Sequence, residues 1–248
     1  MKFISYLIST LFVLQSCSTQ YNIAGNSTLS TLDGNTVYLR VMQGENKLHD
    51  IDSCQIIHGK FSFIGKVDSV IVAQISTDDH NMMPVVLEDG NLSIEVDNIR
   101  QRVSGGPLND KLYEFIEQKN RLINEQWEID QLCLRMMREG KSVKEIHDMI
   151  GLKSKEISDL TEKLETKFIM DNYENALGPA GFALIFGQYP VPIMTEQIQQ
   201  IINMAPSSFL RNPNVNRYVK EARINSSRSY EQYEENRFDT APQAGDSP

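Results

Sequence analysis

The chain has 248 residues, 40% of them apolar, and a formal net charge of −9. That is enough apolar material for one large domain or two small ones with real cores. An acidic chain without a basic run lacks the electrostatic footprint of a nucleic-acid binder, and it lacks a polybasic patch for a membrane surface.

Lys2 forms a short positive start, and Phe3–Val13 is an apolar run of about eleven residues. Such a run fits a secretory signal and is too short to span a bilayer as a helix, which needs about 20 residues. Leu14-Gln15-Ser16-Cys17 follows directly. It resembles the bacterial lipobox. That resemblance implies cleavage before Cys17, a diacylglyceryl group on its sulfur and a further acyl chain (palmitate) on its amine. Several chains anchor firmly where one would not. The expectation is a signal peptide over 1–16 and a lipid attachment at Cys17. The competing reading is an ordinary secretory signal that happens to hold a Cys.

From residue 17 to 106 the chain reads as strands: Tyr21–Gly25, Thr36–Met42, Asp50–Ile57, Lys60–Gly65, Val70–Ser76, Pro84–Leu87, Leu92–Val96 and Arg102–Ser104. Each is a short run rich in β-branched and aromatic residues, bounded by turn residues. Asp33-Gly34, His58-Gly59 and Asp89-Gly90 suit tight hairpin turns. Phe61 and Phe63 alternate with Ser62 and Ile64, which places both rings on one face. The pattern predicts an antiparallel β-sandwich.

At Pro107 the period changes. Leu108, Leu112, Phe115, Ile116, Leu122, Ile123, Ile129, Leu132 and Met136 recur at three- and four-residue steps. This predicts an amphipathic helix, with Asn109 as N-cap and Gly140 at its end. Ser142-Val143-Lys144-Glu145 is a capping box for a second helix through Val143, Ile146, Ile150, Ile157, Leu160, Leu164 and Phe168, with a kink expected at Gly151. The two should form an antiparallel hairpin. Asn175–Gly181 reads as a connector and Phe182–Tyr189 as a short buried helix. Thr195 caps a helix ended by Pro206, and Asn216–Ile224 reads as another short helix. Ser226–Arg237 reads as a fraying helix, and 238–248 as a disordered tail. The fold class is therefore α+β: an N-terminal antiparallel β-sandwich (17–106), then a helical domain (107–237) made of a long α-helical hairpin and shorter C-terminal helices.

The order of motifs carries a resemblance. It runs through Tyr21-Asn22-Ile23-Ala24-Gly25, Leu32-Asp33-Gly34 with Val37-Tyr38-Leu39, Ile51-Asp52-Ser53 and Gly59–Gly65. It continues through Leu87-Glu88-Asp89-Gly90 and Gly105–Asn109. This resembles the N-terminal β-domain of unknown function that precedes a thioredoxin-like (AhpC/TSA, TlpA-like) domain in many periplasmic lipoproteins. The helical stretch ending at Asn175–Gly181 is similar to the linker helices of such proteins. In those relatives the redox chemistry belongs to a CxxC motif, and no CxxC occurs here. The resemblance thus implies a fold and an envelope location (outer membrane, periplasmic face), not a reaction.

The remaining chemistry is sparse. Cys54 and Cys133 read either as redox thiols or as buried structural residues. Of His49, His58, His80 and His147, no pair has the i, i+4 helical spacing of a metal site. Thr77-Asp78-Asp79-His80 reads as a polar loop or a cation site, but it lacks the Gly and distal Glu of a calcium loop. Met82-Met83 and Met136-Met137 read as core filler or soft-metal ligands. Glu88, Asp89, Glu95 and Asp97 read as exposed strand charge or as an acid/base pair. Tyr218, Tyr230, Tyr233 and Phe238 form a partner- or carbohydrate-facing patch, or they pack on the hairpin. No P-loop, GxSxG or dinucleotide fingerprint is present. The expectation is a non-catalytic binding or assembly module with no cofactor, no metal and no nucleic acid. Its partners would be the membrane, through Cys17, and an envelope protein. The alternative is an accessory of thiol-disulfide exchange.

Overall fold

The structure is a computed structural model that describes residues 18–43, 47–78 and 81–239. Residues 1–16, read as a signal peptide, together with Cys17, residues 44–46, Asp79, His80 and 240–248, lie outside the described residues. The chain divides into two compact units, residues 1–101 and 102–248.

The strands are β1 (Thr19–Ser27), β2 (Thr36–Gln43), β3 (Lys47–Gln55), β4 (Lys60–Val67), β5 (Ile71–Ser76), β6 (Asn81–Leu87), β7 (Gly90–Val96) and β8 (Gln101–Ser104). They form two four-stranded sheets, ordered β4-β1-β7-β8 and β3-β2-β5-β6. Strict alternation explains the layering. In β1, Tyr21 and Ile23 are buried while Gln20, Asn22 and Ala24 are exposed. Phe63, Leu92 and Ile94 join them from the first sheet, and Val37, Leu39, Ile75 and Val85 are buried from the second.

Two details differ from the sequence reading. β1 and β7 pair in parallel, Tyr21 opposite Gly90, inside an otherwise antiparallel set. And the glycine turns are not hairpins within one sheet. Asp33-Gly34, His58-Gly59 and Asp89-Gly90 each carry the chain from one sheet to the other. His58 (φ 51) and Gly59 (φ 74) are both left-handed, so the local chemistry is as expected. A turn residue encodes reversal of the backbone, not which sheet the next strand joins.

Two other glycines accept cross-strand rings. Gly25 opposes Phe61, and Gly65 opposes Tyr21. A Cβ on Gly25 would sit 2.2 Å from the Phe61 ring, and one on Gly65 would sit 2.3 Å from the Tyr21 hydroxyl. Phe61 and Tyr21 each fold over the bare backbone and stay buried.

In the second unit, α1 (Pro107–Arg138) and α2 (Val143–Asp171) form the expected hairpin. The N-cap of α1 is Gly106, not Asn109, because Pro107 starts the helix with its φ already set. Asn109 is buried in the first turn. At the far end, Gly140 (φ 77) closes a Schellman turn: its N–H bonds the Met137 carbonyl and the Lys141 N–H bonds that of Met136. The Ser142–Glu145 capping box forms as read. α2 runs through Gly151 as one helix.

The α1 seam follows Leu112, Phe115, Lys119, Leu122, Gln126, Ile129, Cys133 and Met136, alternating three- and four-residue steps as in a coiled coil. Phe115 stacks on Phe168 at 4.0 Å. Lys119 pairs with Glu165 at 2.8 Å, and the Ser154 hydroxyl donates to Gln126 at 3.3 Å. The sums of these pairs stay nearly constant, which is the register of an antiparallel pair. Val143 and Leu160, read as part of the core stripe, are instead exposed.

The segment read as a connector begins α3 (Leu177–Phe186). Pro179 falls in the first turn, where a missing N–H costs no helical bond. Gly178 and Gly181 are there for close packing. A Cβ on Gly178 would meet the Asn172 carbonyl oxygen at 2.4 Å, and one on Gly181 the Phe168 ring at 2.8 Å. α4 (Glu196–Met204) carries the Thr195 cap as expected, and a one-turn α5 (Ser207–Leu210) follows Pro206. α6 (Pro213–Asp239) is one long helix where a short and a fraying one were expected, and it passes Phe238, where the tail was to begin.

Candidate functional site

The residues flagged by the sequence do not converge. Glu88 and Asp89 precede β7, and Glu95 and Asp97 end it. They stand a strand length apart, roughly 20 Å at 3.3 Å per residue. Asp89 accepts the Gln20 N–H at 2.6 Å, and Asp97 accepts the Ile99 and Arg100 N–H groups, which hold its carboxyl below the usual carboxylate range. Asp89 and Asp97 are thus turn-forming acids, Glu95 is exposed on β7, and Glu88, read as exposed strand charge, is instead buried.

The loop after β5 is also engaged in structure. The Arg40 guanidinium lies over the Tyr38 ring at 4.1 Å, bonds Asp50 at 2.7 Å and reaches the Ser76 hydroxyl at 3.1 Å and the Thr77 carbonyl at 3.4 Å. Tyr38 donates to Asp78, which raises the Tyr38 hydroxyl above its ordinary range. This cluster ties β2, β3 and the end of β5 together next to the β2–β3 register shift at Leu39/Arg40. Among the described residues, no group of three or more His, Cys, Asp or Glu could hold a metal ion. Within each methionine pair one side chain is buried (Met83, Met136) and its neighbour is more exposed. His49, on the edge strand β3, and His58 and His147 are all exposed.

Cys54 and Cys133 are free thiols of intermediate exposure. Burial pushes the Cys54 thiol up, outweighing the Ser62 N–H that donates to it. Cys54 lies at the lip of an open groove of about 600 Å³ whose lining includes Ala24, Asn26, Ser62 and Ser93. The lining also takes in Ile57, Lys60 and Phe61, and it sets no carboxylate or imidazole beside the Cys54 thiol among the described residues.

Tyr218 packs edge-on against Phe182 at 5.4 Å, and its hydroxyl both donates to the Ile193 carbonyl and accepts its N–H, each at 3.3 Å. With Phe186, Phe209 and Tyr173 it builds the aromatic core of the helical unit. Tyr173 donates to the Ile201 carbonyl at 2.6 Å, and burial pushes its hydroxyl up to about 12. Of the C-terminal aromatics, Tyr218 packs, but against α3 and the Ile193 segment rather than on the α1–α2 hairpin. The side chains of Tyr230, Tyr233 and Phe238 lie outside the described residues.

The surface that the sequence reading missed is on α1. Ile123, Trp127, Leu134 and Met137 are 50%, 61%, 46% and 55% exposed. Their steps of four, seven and three residues place them on one face, displaced by one residue from the seam that meets α2. The signal was present: α1 carries two interleaved apolar registers, and one seam needs only the first. Adjacency to Leu122 makes Ile123 read as core in the sequence.

No helix among the described residues is long and apolar enough to cross a membrane. No curated protein matches the chain. Residues 21–112, which run from β1 into the first turns of α1, match the family described as Domain of unknown function (DUF4369).

Proposed function

We propose that this is a lipid-anchored protein of the cell envelope, held through Cys17 on the periplasmic face of the outer membrane, whose body is a non-catalytic binding or assembly module. The lipobox supports the location. The observation that carries the binding role is the second apolar stripe on α1, with Trp127 at its centre. An exposed aromatic flanked by aliphatic residues at helical spacing suits docking of a partner's helix or apolar groove. Charge disfavours nucleic acid as that partner. The thiol-disulfide reading needs a thiol held below its usual range, and burial moves Cys54 the other way.

The test is made in intact cells. A photo-crosslinking residue replaces Trp127, or Glu128 as a neighbour off the stripe. A discrete adduct from position 127 and none from 128 is expected, together with loss of the protein from the membrane fraction in Cys17→Ser. Equal labelling from both positions, or membrane retention of Cys17→Ser, would overturn the reading.

A further inference from the structure

Strand register fixes which loops of the β unit share an end with the N-terminus of β1. Thr19 opposes Val67, the last residue of β4. Asp68, Ser69 and Val70 then lead directly into β5, whose first residue, Ile71, opposes Leu87 at the end of β6. Glu88 and Asp89 lead into β7, where Gly90 lies beside Tyr21. β2 is antiparallel to β5, with Tyr38 opposite Ser76 and Arg40 opposite Gln74, so it runs toward the end where β5 begins. The last residues of β2 and the first of β3 therefore lie at this same end. There Met42 and Leu48 face each other as a cross-strand pair, 57% and 37% exposed.

Ser18 alone separates Cys17 from β1. Two residues of chain reach at most about 7 Å. An acylated sulfur at Cys17 thus leaves no tether between bilayer and sandwich. We infer that this end of the β unit rests on the lipid surface, with the Met42–Leu48 pair set into the headgroup region beside the anchor. This deepens the proposed lipid attachment and rests on it. Among the described residues the charged groups exposed at the same end are balanced, Lys47 and Lys66 against Asp68 and Asp89, and the sequence adds the acid Glu45 between Met42 and Leu48, so contact depends on the tether and the apolar pair rather than on anionic lipid. The opposite end carries Ile57, also an exposed apolar residue at 61%, after β3 and before β4. Eight strand residues put it roughly 25 Å away.

The experiment uses the full, acylated protein in vesicles of phosphatidylethanolamine and phosphatidylglycerol with brominated acyl chains. Trp127→Phe removes the single native tryptophan, and Met42→Trp, Ser69→Trp or Ile57→Trp supplies one reporter at a time. An apolar group lodged about 5–10 Å deep at the headgroup boundary is within reach of the bromines, so emission from Met42→Trp should fall by about half. Ser69→Trp should be quenched less, and Ile57→Trp not at all. The Met42→Trp quenching should persist when salt is raised. Acylated protein with no quenching at either Met42→Trp or Ser69→Trp, or with equal quenching at Ile57→Trp, overturns the inference while leaving the anchor intact. A mass spectrum lacking the acyl chains removes the anchor and the inference together.

Discussion

The two units bury their apolar residues with different completeness. In the β unit alternation sends nearly every large apolar side chain inward, and the exposed exceptions, Met42, Leu48, Ile57, Ile64 and Ile99, stand singly or in one pair. In the helical unit α1 fills one seam and leaves a second stripe uncovered. A strand has two faces, and a two-sheet sandwich covers one of them completely. A helix offers a surface all round, and a hairpin partner covers only a narrow arc of it. Incomplete burial in the hairpin is thus where a partner-binding role has room.

Substitutions can break or sharpen this contrast. The largest effect belongs to the aromatic core of the helical unit. Phe182→Ala should cost about 3–5 kcal/mol in chemical denaturation, since it empties a site touching Phe186, Phe209 and Tyr218. Next is the β unit, where Gly25→Ala should cost about 1–3 kcal/mol by forcing the buried Phe61 ring aside. A neutral result would show that the ring can move and that the pairing is not a tight one.

Ser142→Ala should cost about 1 kcal/mol through loss of the cap on α2, seen as a lowered denaturation midpoint. The box also has a pH signature. The Ser142 N–H and hydroxyl hold the Glu145 carboxyl below its ordinary 4.5. Its contribution is therefore complete above pH 4.5 and is lost as pH falls through the lower folded value. Helicity of the wild type should decline over that range by an increment missing in Glu145→Gln.

The smallest effect on stability is expected from Trp127→Ala, within about 0.5 kcal/mol, because the side chain is mostly exposed. The same change should abolish the adduct formed from a photo-crosslinking residue placed instead at Ile123 on the same stripe. A loss of stability approaching that of Phe182→Ala would mean that the stripe is covered within the chain, and the contrast between the units would fail.

Sequence alone determined what depends on neighbours along the chain. The eight strands follow from period two, the long hairpin from its three- and four-residue steps, and the caps at Ser142 and Thr195 from side chains that reach a backbone N–H three residues on. Only tertiary structure decided what depends on distant partners. Turn chemistry at His58-Gly59 cannot name the sheet that β4 joins, and nothing local reveals that β1 and β7 lie parallel. Gly178 and Gly181 read as breakers until Asn172 and Phe168 press against them. The two registers of α1 become distinct only when α2 covers one of them, because burial is a property of the pair of helices and not of either alone.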